Sequence, residues 1–214
     1  MLIEFTSLQQ CAEPSLFLGE LAHRVSNEYA AVISRVELAA ARATTTEAKV
    51  TLEQTAERLH DFASVHRALQ MPAEDRVELS DYLGELCRAL SRSHLLDQGI
   101  ELTLVEEQVV LSSEQCWHVG LIVSELVTNA ARHAFEERDG TIRIEILVER
   151  DRVLCGVMDD GTWQQRRPGR GTKITDALAA RIGGELLRDF GPCGTAVTLI
   201  FPREVQLQLA RSSV

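Results

Sequence analysis

Basic charge, long apolar runs and paired cysteines are the features that this sequence lacks. Its 214 residues carry 32 acidic and 22 basic side chains, a net charge of -10 at pH 7, which argues against the broad basic surface of a nucleic-acid-binding protein. No apolar run approaches the roughly 18 residues that span a bilayer. The opening MLIEFTSLQQ has neither the basic start nor the apolar core of a signal peptide. We therefore expect a cytoplasmic protein with no nucleic-acid partner, no membrane partner and no sensor domain ahead of its motifs.

The five cysteines are far apart in the sequence and form no CxxC pair. An odd number of cysteines without metal-ligand spacing predicts reduced thiols and no zinc site. The remaining composition, 45% hydrophobic and 25% charged residues, is typical of a globular protein. A chain of this length is expected to form one or two domains.

Two long amphipathic patterns follow a short N-terminal segment, residues 1–14. The apolar residues of the first pattern step by threes and fours, close to a seven-residue repeat: Leu18, Leu21, Val25, Val32, Val36 and Ala39. Thr44 followed by Glu47 fits a capping box, so we predict that a second helix begins there and ends before Pro72. The two helices would form an antiparallel hairpin, residues 15–71, that cannot cover its own apolar seam. Two copies would complete a four-helix bundle, so we predict a homodimer.

A polar linker, residues 72–77, marks the expected domain boundary, and the sequence pattern changes after it. In this part of the chain helical patterns are interspersed with strand-like runs. The helical patterns are LSDYLGELCRALSRSHLL, SSEQCWHVGLIVSELVTNAARHAF and TKITDALAARIGGEL. The strand-like runs are IELTLV, QVVLS, TIRIEILVE, VLCGVMDD and TAVTLIF. Ser112 with Gln115 fits a second capping box, and Gly183 with Gly184 fits a helix stop. We predict the α+β class: a helical hairpin, then an α/β sandwich at 78–203 with helices on one face of a mixed sheet, then a tail at 204–214.

The helix of ELVTNAARHAF carries four polar residues that could act together. Glu125 and Asn129 lie four residues apart on one face, and Arg132 and His133 follow one turn later. Oxygen ligands suit Mg²⁺ and a cationic side chain suits phosphate, so the group fits a magnesium–phosphate site. The same pattern also fits a polar stripe on a half-exposed helix.

Two glycine-containing segments follow in the same domain. Asp159 and Gly161 come at the end of a strand, where a carboxylate can accept a hydrogen bond from an adenine amino group and a glycine lets the base approach closely. Gly169 and Gly171 come just before a helix, whose N-terminal amides can bind phosphate. Each segment alone is also a common turn signal. Their order within one α/β domain favours a nucleotide site.

At this point the sequence resembles a known family. The series ELVTNAARHAF, VMDDG, GRG, IGGEL and GTAVTLIF is similar to the N, G1 and G2 boxes of the histidine-kinase ATP-binding domain. ELAHRVSNEYAAVI resembles the phosphoacceptor box of the HWE-like subfamily whose motif reads E-L-H-H-R-V-K-N, and RLHDFASVHRALQ resembles that subfamily's second helix. The resemblance extends from about residue 15 to 202.

The resemblance implies a Bergerat-type α/β sandwich that binds ATP with magnesium. Asn129 would be the magnesium ligand, and Glu125 would hold the water or metal geometry. The residues implied in cofactor binding are Asn129, Arg132, His133, Asp159, Gly161, Gly169, Gly171 and Thr195.

The resemblance also assigns roles in the first helix. His23 matches the histidine that family members phosphorylate, and Ala22 stands where the family has the first of two histidines. Glu20 and Asn27 share a helix face with His23. A carboxylate there can orient the imidazole ring or take its proton, and an amide at i+4 resembles the position that orients a dephosphorylating water in related kinases. For His66 we favour packing or hydrogen bonding inside the bundle.

Three departures from the family pattern concern the nucleotide site. Trp163 replaces the second glycine of the D-x-G-x-G motif. The stretch between Gly161 and Gly169, which corresponds to the ATP lid, is short. Arg170 lies between the two glycines of the motif that usually reads G-L-G-L.

Two hypotheses follow from the resemblance and its departures. The first is a two-component histidine kinase core that phosphorylates His23 from Mg-ATP and passes the phosphoryl group to an aspartate on a response-regulator receiver domain. The second, favoured by Trp163 and the short lid, is an ATP-independent histidine phosphotransferase or regulator-docking module. A serine kinase of an anti-sigma pathway and an ATPase acting on DNA or client proteins share the ATP fold, but the long hairpin with His23 argues against both.

Overall fold

The structure is a computed structural model that describes residues 13–135, 138–162, 170–192 and 194–203; for residues 13–23, His94 and Arg170 it describes the backbone alone. The chain divides into two compact units, Met1–Met71 and Pro72–Val214. Among the described residues, no helix is both long enough and apolar enough to cross a membrane.

The first unit is a hairpin of two helices, α1 (Glu13–Arg42) and α2 (Thr46–Ala68). The predicted capping residue was wrong by one position: Thr45, not Thr44, has the extended backbone of an N-cap, and its side chain accepts a hydrogen bond from the Ala48 amide. The side chain of an N-cap bonds the amide two or three residues further on, and the threonine run offers that geometry at more than one position.

The contact between α1 and α2 does not use the predicted apolar seam throughout. Ile33 and Ala40 of α1 and Ala56 of α2 are buried, whereas Val32, which belongs to the seam, is 46% exposed. Ile33 lies one residue from Val32, about 100° around the helix. The apolar pattern therefore marks a second face, next to the face that packs against α2.

The second unit is an α/β sandwich. Its strands are β1 (Arg76–Glu78), β2 (Ile100–Val105), β3 (Val110–Ser112), β4 (Gly140–Glu149), β5 (Arg152–Asp159), β6 (Glu185–Gly191) and β7 (Gly194–Pro202). Its helices are α3 (Leu79–Leu90), α4 (Ser113–His133) and α5 (Arg170–Arg181). A π-helical turn (Ser91–Leu95) and a 3-10 turn (Leu96–Gln98) join α3 to β2.

Five strands form one mixed sheet in the order β2-β4-β5-β7-β6, with β2 parallel to β4 and the other pairs antiparallel. Ile142, Ile144 and Ile146 alternate along β4 and are fully buried, while Arg143 between them is exposed. Because side chains alternate between the faces of a strand, the sheet buries one face against the helices. This confirms the predicted mixed sheet with helices on one side.

Three local predictions can be compared with the observed boundaries. The capping box of Ser112 and Gln115 is present at the start of α4, and Gly183 has the positive φ of 68° that ends α5. The predicted linker at 72–77 is not entirely linker, because residues 76 and 77 belong to β1, which pairs with β3 in a separate two-stranded sheet. The helix predicted to continue from Leu79 to Leu96 ends at Leu90 in α-helical form.

Candidate functional site

Asp159, the last residue of β5, is the most constrained polar group of the predicted site. The sheet register places it beside Thr195 of β7, and only 9% of it is exposed. Its Oδ1 accepts a hydrogen bond from the Gly161 amide at 3.0 Å, and its Oδ2 accepts one from the Thr195 hydroxyl. A carboxylate oxygen has two lone pairs, so each oxygen can still accept a second bond. Asp159 is therefore a fixed acceptor at the end of the sheet.

Gly161 connects this acceptor to the end of α4. A Cβ atom at Gly161 would lie 2.3 Å from the Ala134 Cβ and 2.5 Å from the Ala134 carbonyl oxygen. The next residue, Thr162, donates its amide to the same carbonyl at 2.8 Å. The space that requires a glycine here is thus filled by the protein's own helix end. The predicted approach of a base to Gly161 remains a prediction.

A second polar group lies on the middle of α4. Asn129 Nδ2 donates to Glu125 Oε1 at 2.9 Å, and both residues are half-buried. A Cβ atom at Gly171 would lie 2.1 Å from the same Glu125 oxygen and 3.4 Å from Asn129 Nδ2. The structure therefore brings Glu125, Asn129 and Gly171 together, and their part in a nucleotide site remains a prediction.

Gly171 differs from its predicted position in one respect. It was expected before the helix, but it lies within α5, whose first described residue is Arg170. Amides at the start of a helix have no partner within the helix and can donate to an anion.

For the other predicted site residues the structure gives only a position in a helix, an exposure, or neither. Arg132 and His133 lie in the last turn of α4 and are exposed. Gly169 and Trp163 lie outside the described residues, and so does the lid between them. For Glu20 and His23 the structure gives the backbone of α1 alone, and Asn27, one turn further on, is exposed.

The described residues hold no cluster of three or more His, Cys, Asp or Glu side chains placed to bind a metal ion. A magnesium site here would depend on few protein ligands. Because Asn129 Nδ2 donates to Glu125, the side-chain carbonyl oxygen of Asn129 is the atom that would bind the metal ion. One or two protein oxygens plus phosphate oxygens are the usual magnesium environment in nucleotide sites, so the residues present fit the group.

Three thiols of the second unit are buried. Burial raises the pKa of Cys87, Cys116 and Cys155 to about 12. They retain their protons at neutral pH, which makes them poor nucleophiles and poor metal ligands.

Sequence reasoning missed the part played by Ala134. Its carbonyl oxygen accepts from Thr162 and so joins the strand-end acceptor to α4. A backbone carbonyl has no side-chain signature, so nothing in the sequence pattern indicated this contact.

Both units of the chain are similar to known proteins. Residues 20–94 match the sequence model of the histidine kinase family, and residues 100–201 match that of the histidine kinase-like ATPase domain. The sensor histidine kinase PdtaS of Mycobacterium tuberculosis is 28% identical over 195 residues, which are 86% of this chain and 39% of the relative. The chain therefore spans well under half the length of that relative.

Two solved structures show the same fold. The histidine kinase domain of the Erythrobacter litoralis blue-light-activated kinase EL346 matches with a TM-score of 0.57 at 21% identity, over 82% of this chain and 95% of that one. A bacterial phosphotransferase matches with a TM-score of 0.57 at 11% identity, over 92% and 98%. Both likenesses concern the fold alone. The two family models, taken in this order along the chain, identify it as a member of the histidine kinases and as a kinase core of the HWE-like kind.

Proposed function

We propose that the chain transfers the γ-phosphoryl group of ATP to His23 and then passes it to an aspartate on a response-regulator receiver domain. One observation carries the proposal. The histidine-kinase match begins three residues before His23, and the following unit holds the fixed acceptor Asp159 together with the Glu125, Asn129 and Gly171 group.

Each residue of the second unit would have a distinct part in holding the nucleotide. Asp159 accepts from the adenine amino group while Thr195 and Gly161 keep its carboxylate in place. The amides of the first α5 turn, including Gly171, donate to phosphate oxygens. Asn129 supplies an oxygen ligand to Mg²⁺, which when bound neutralises charge on the phosphates.

The chemistry at His23 requires a free lone pair on one imidazole nitrogen. That nitrogen forms a bond to phosphorus as the bond between phosphorus and the β–γ bridging oxygen breaks, and ADP leaves. Glu20, three residues earlier on the helix, accepts the ring proton. Most of the rate in such transfers comes from positioning and electrostatic stabilisation.

The hairpin supports action as a homodimer. Its exposed apolar residues include Val32, which belongs to the predicted seam of α1, and Phe62 on α2. A second hairpin packed on this face would complete a four-helix bundle and remove these side chains from water.

Labelling with γ-³²P-ATP tests the proposal. We expect acid-labile, base-stable labelling of the wild type, and its loss in His23→Ala and in Asp159→Asn. His60→Ala is the matched control, because His60 also lies in the hairpin and is exposed, and it should label normally. Undiminished labelling of His23→Ala would show that another residue accepts the phosphoryl group.

A second candidate is an ATP-independent phosphotransferase that exchanges phosphoryl groups between receiver domains through His23. Trp163 favours it, because an indole stands where the motif has a glycine that lets the backbone approach the nucleotide. Absence of Mg-ATP binding up to millimolar concentration in calorimetry, with labelling of His23 by a phosphorylated receiver domain, would establish this second candidate over the first.

A further inference from the structure

Three cross-hairpin contacts fix the register of α1 against α2. Glu37 Oε1 lies 3.0 Å from His60 Nε2, the rings of Tyr29 and His66 are 5.8 Å apart, and Gln70 Nε2 donates to Ser26 Oγ at 3.0 Å. Moving toward the N-terminus of α1, the partners come from later positions in the second helix. Ser26 therefore lies at the end of the hairpin that Gln70 closes, and His23 lies one helical turn before Ser26 on α1.

Gln70 is at the point where the hairpin ends. The α-helix of α2 ends at Ala68, and the Leu69 and Gln70 amides close its last turn on the Val65 and Arg67 carbonyls. Met71 is the last residue of the first unit. Both Ser26 and Gln70 are half-buried, so water competes only partly for their hydrogen bond.

We propose that Gln70 is a positioning residue for phosphorylation of His23, acting through Ser26. Ser26 lies one helical turn from His23, about 4.5 Å along the axis, and roughly on the same face. The Gln70 amide holds the Ser26 hydroxyl and thereby fixes the turn of α1 that carries His23 against the end of the hairpin. Because in-line transfer depends steeply on the placement of the attacking atom, losing this bond slows the transfer and leaves nucleotide affinity alone. The inference rests on the proposed phosphorylation of His23.

Two near-isosteric substitutions at Ser26 separate the hydrogen bond from packing. Ser26→Thr keeps a hydroxyl and Ser26→Val replaces it with a methyl group, and both are β-branched. Gln70→Met removes the amide at similar length. We expect Ser26→Val and Gln70→Met each to lower the maximal rate of His23 labelling about three- to tenfold, with the KM for ATP unchanged and Ser26→Thr close to wild type. The double variant should be no slower than either single variant.

Glu37→Met is the matched control, because it breaks a cross-hairpin contact of the same length further down the hairpin. It should leave the labelling rate unchanged. Equal rates for Ser26→Val and Ser26→Thr, additive losses in the double variant, or an equal loss in Glu37→Met would overturn the inference.

Hydrogen exchange distinguishes failure of this inference from failure of the proposed function. If the wild type takes no label from ATP or from a phosphorylated receiver domain, the proposed function is wrong and the labelling role of Gln70 is overturned with it. If the wild type labels, the amides of residues 23–28 should exchange faster in Ser26→Val than in Ser26→Thr. Equal exchange would overturn the positioning role even if the rates differ.

Discussion

The hairpin and the sandwich bury their apolar residues in very different ways. In the described part of the hairpin the buried apolar residues are Ile33, Ala40, Ala56 and Val65. The sandwich has large side chains with almost no exposure on both its helices and its sheet, among them Leu83, Leu86, Ile122, Phe135, Ile144 and Phe201. A sandwich with this core can fold by itself, whereas the single hairpin is held by a narrow apolar strip and a few polar contacts.

This difference indicates that the hairpin, and not the sandwich, needs a partner to cover its apolar residues. Val32 remains 46% exposed on α1, about 100° around the helix from the strip that packs on α2. The stability of the hairpin should therefore depend on protein concentration, as expected when folding is linked to association. The stability of the sandwich should not.

The largest effect is expected from a cavity in the sandwich core. Ile144→Ala should lower the free energy of unfolding of the second unit by about 2–5 kcal/mol, because the side chain is fully buried. Ile33→Ala, the same change in the hairpin, should cost at most about half as much, since a thin interface can collapse around the gap. Urea unfolding followed for each unit by hydrogen exchange measures both values. Equal losses would show that the hairpin has a core as well packed as that of the sandwich.

A charge on the apolar face of the hairpin should weaken association of the hairpin without affecting the sandwich. Val32→Asp should raise the dissociation constant of the dimer about 100-fold or more, because a symmetric interface loses the buried valine twice. Gln54→Asp adds the same charge at an exposed position of α2 and should leave the dimer intact. Sedimentation velocity over a range of protein concentrations measures the dissociation constant of each variant. A dimer of unchanged affinity in Val32→Asp would place the interface elsewhere.

Two glycines in sandwich helices should respond in opposite directions. A Cβ atom at Gly120 would lie 2.6 Å from the buried Tyr82 ring, so Gly120→Ala should cost about 1–3 kcal/mol. At Gly84 in α3 the nearest atom would be at 3.6 Å, and Gly84→Ala should stabilise by up to about 1 kcal/mol through helix propensity. Thermal unfolding of the two variants compares them. A tolerated Gly120→Ala would mean that α3 and α4 can move apart easily.

The smallest effect concerns pH. The folded pKa of about 12 for Cys87, Cys116 and Cys155 lies above the ordinary value of 9.0, so unfolding releases protons once the pH nears 9. The free energy of unfolding should fall by about 1 kcal/mol between pH 7 and pH 9 from these three thiols together. Cys116→Ala should remove about a third of that loss. Because residues 13–71 contain no cysteine, a similar decline in the hairpin would contradict this origin.

Much of the fold followed from patterns that local physics determines. Ser112 with Gln115 and the positive φ of Gly183 are decided within a few residues, and both were predicted. The order of strands in the sheet depends on contacts far apart in the chain. The pairing of β1 with β3 is such a contact, and it was missed. In addition, β1 is a three-residue strand inside a polar stretch, which is too short to show a periodic pattern.

The candidate site was predictable as a set of residues, but not as a set of contacts. The resemblance indicated Asp159 and Thr195, while their direct hydrogen bond required the register of β5 against β7. The packing of Gly171 on Glu125 likewise depends on how α5 meets α4. In the hairpin, a period near seven identified the apolar stripe of α1 but could not tell which of two adjacent faces, marked by Val32 and Ile33, meets α2.

The position of Thr195 has a consequence for how the protein is made. Asp159 receives its hydroxyl donor from β7, the last of the described strands to leave the ribosome. A growing chain that has already released both hairpin helices still has an incomplete acceptor at the end of β5. If hairpins associate as proposed, they can begin to do so during synthesis, before the Asp159 carboxylate has received its hydroxyl donor from β7.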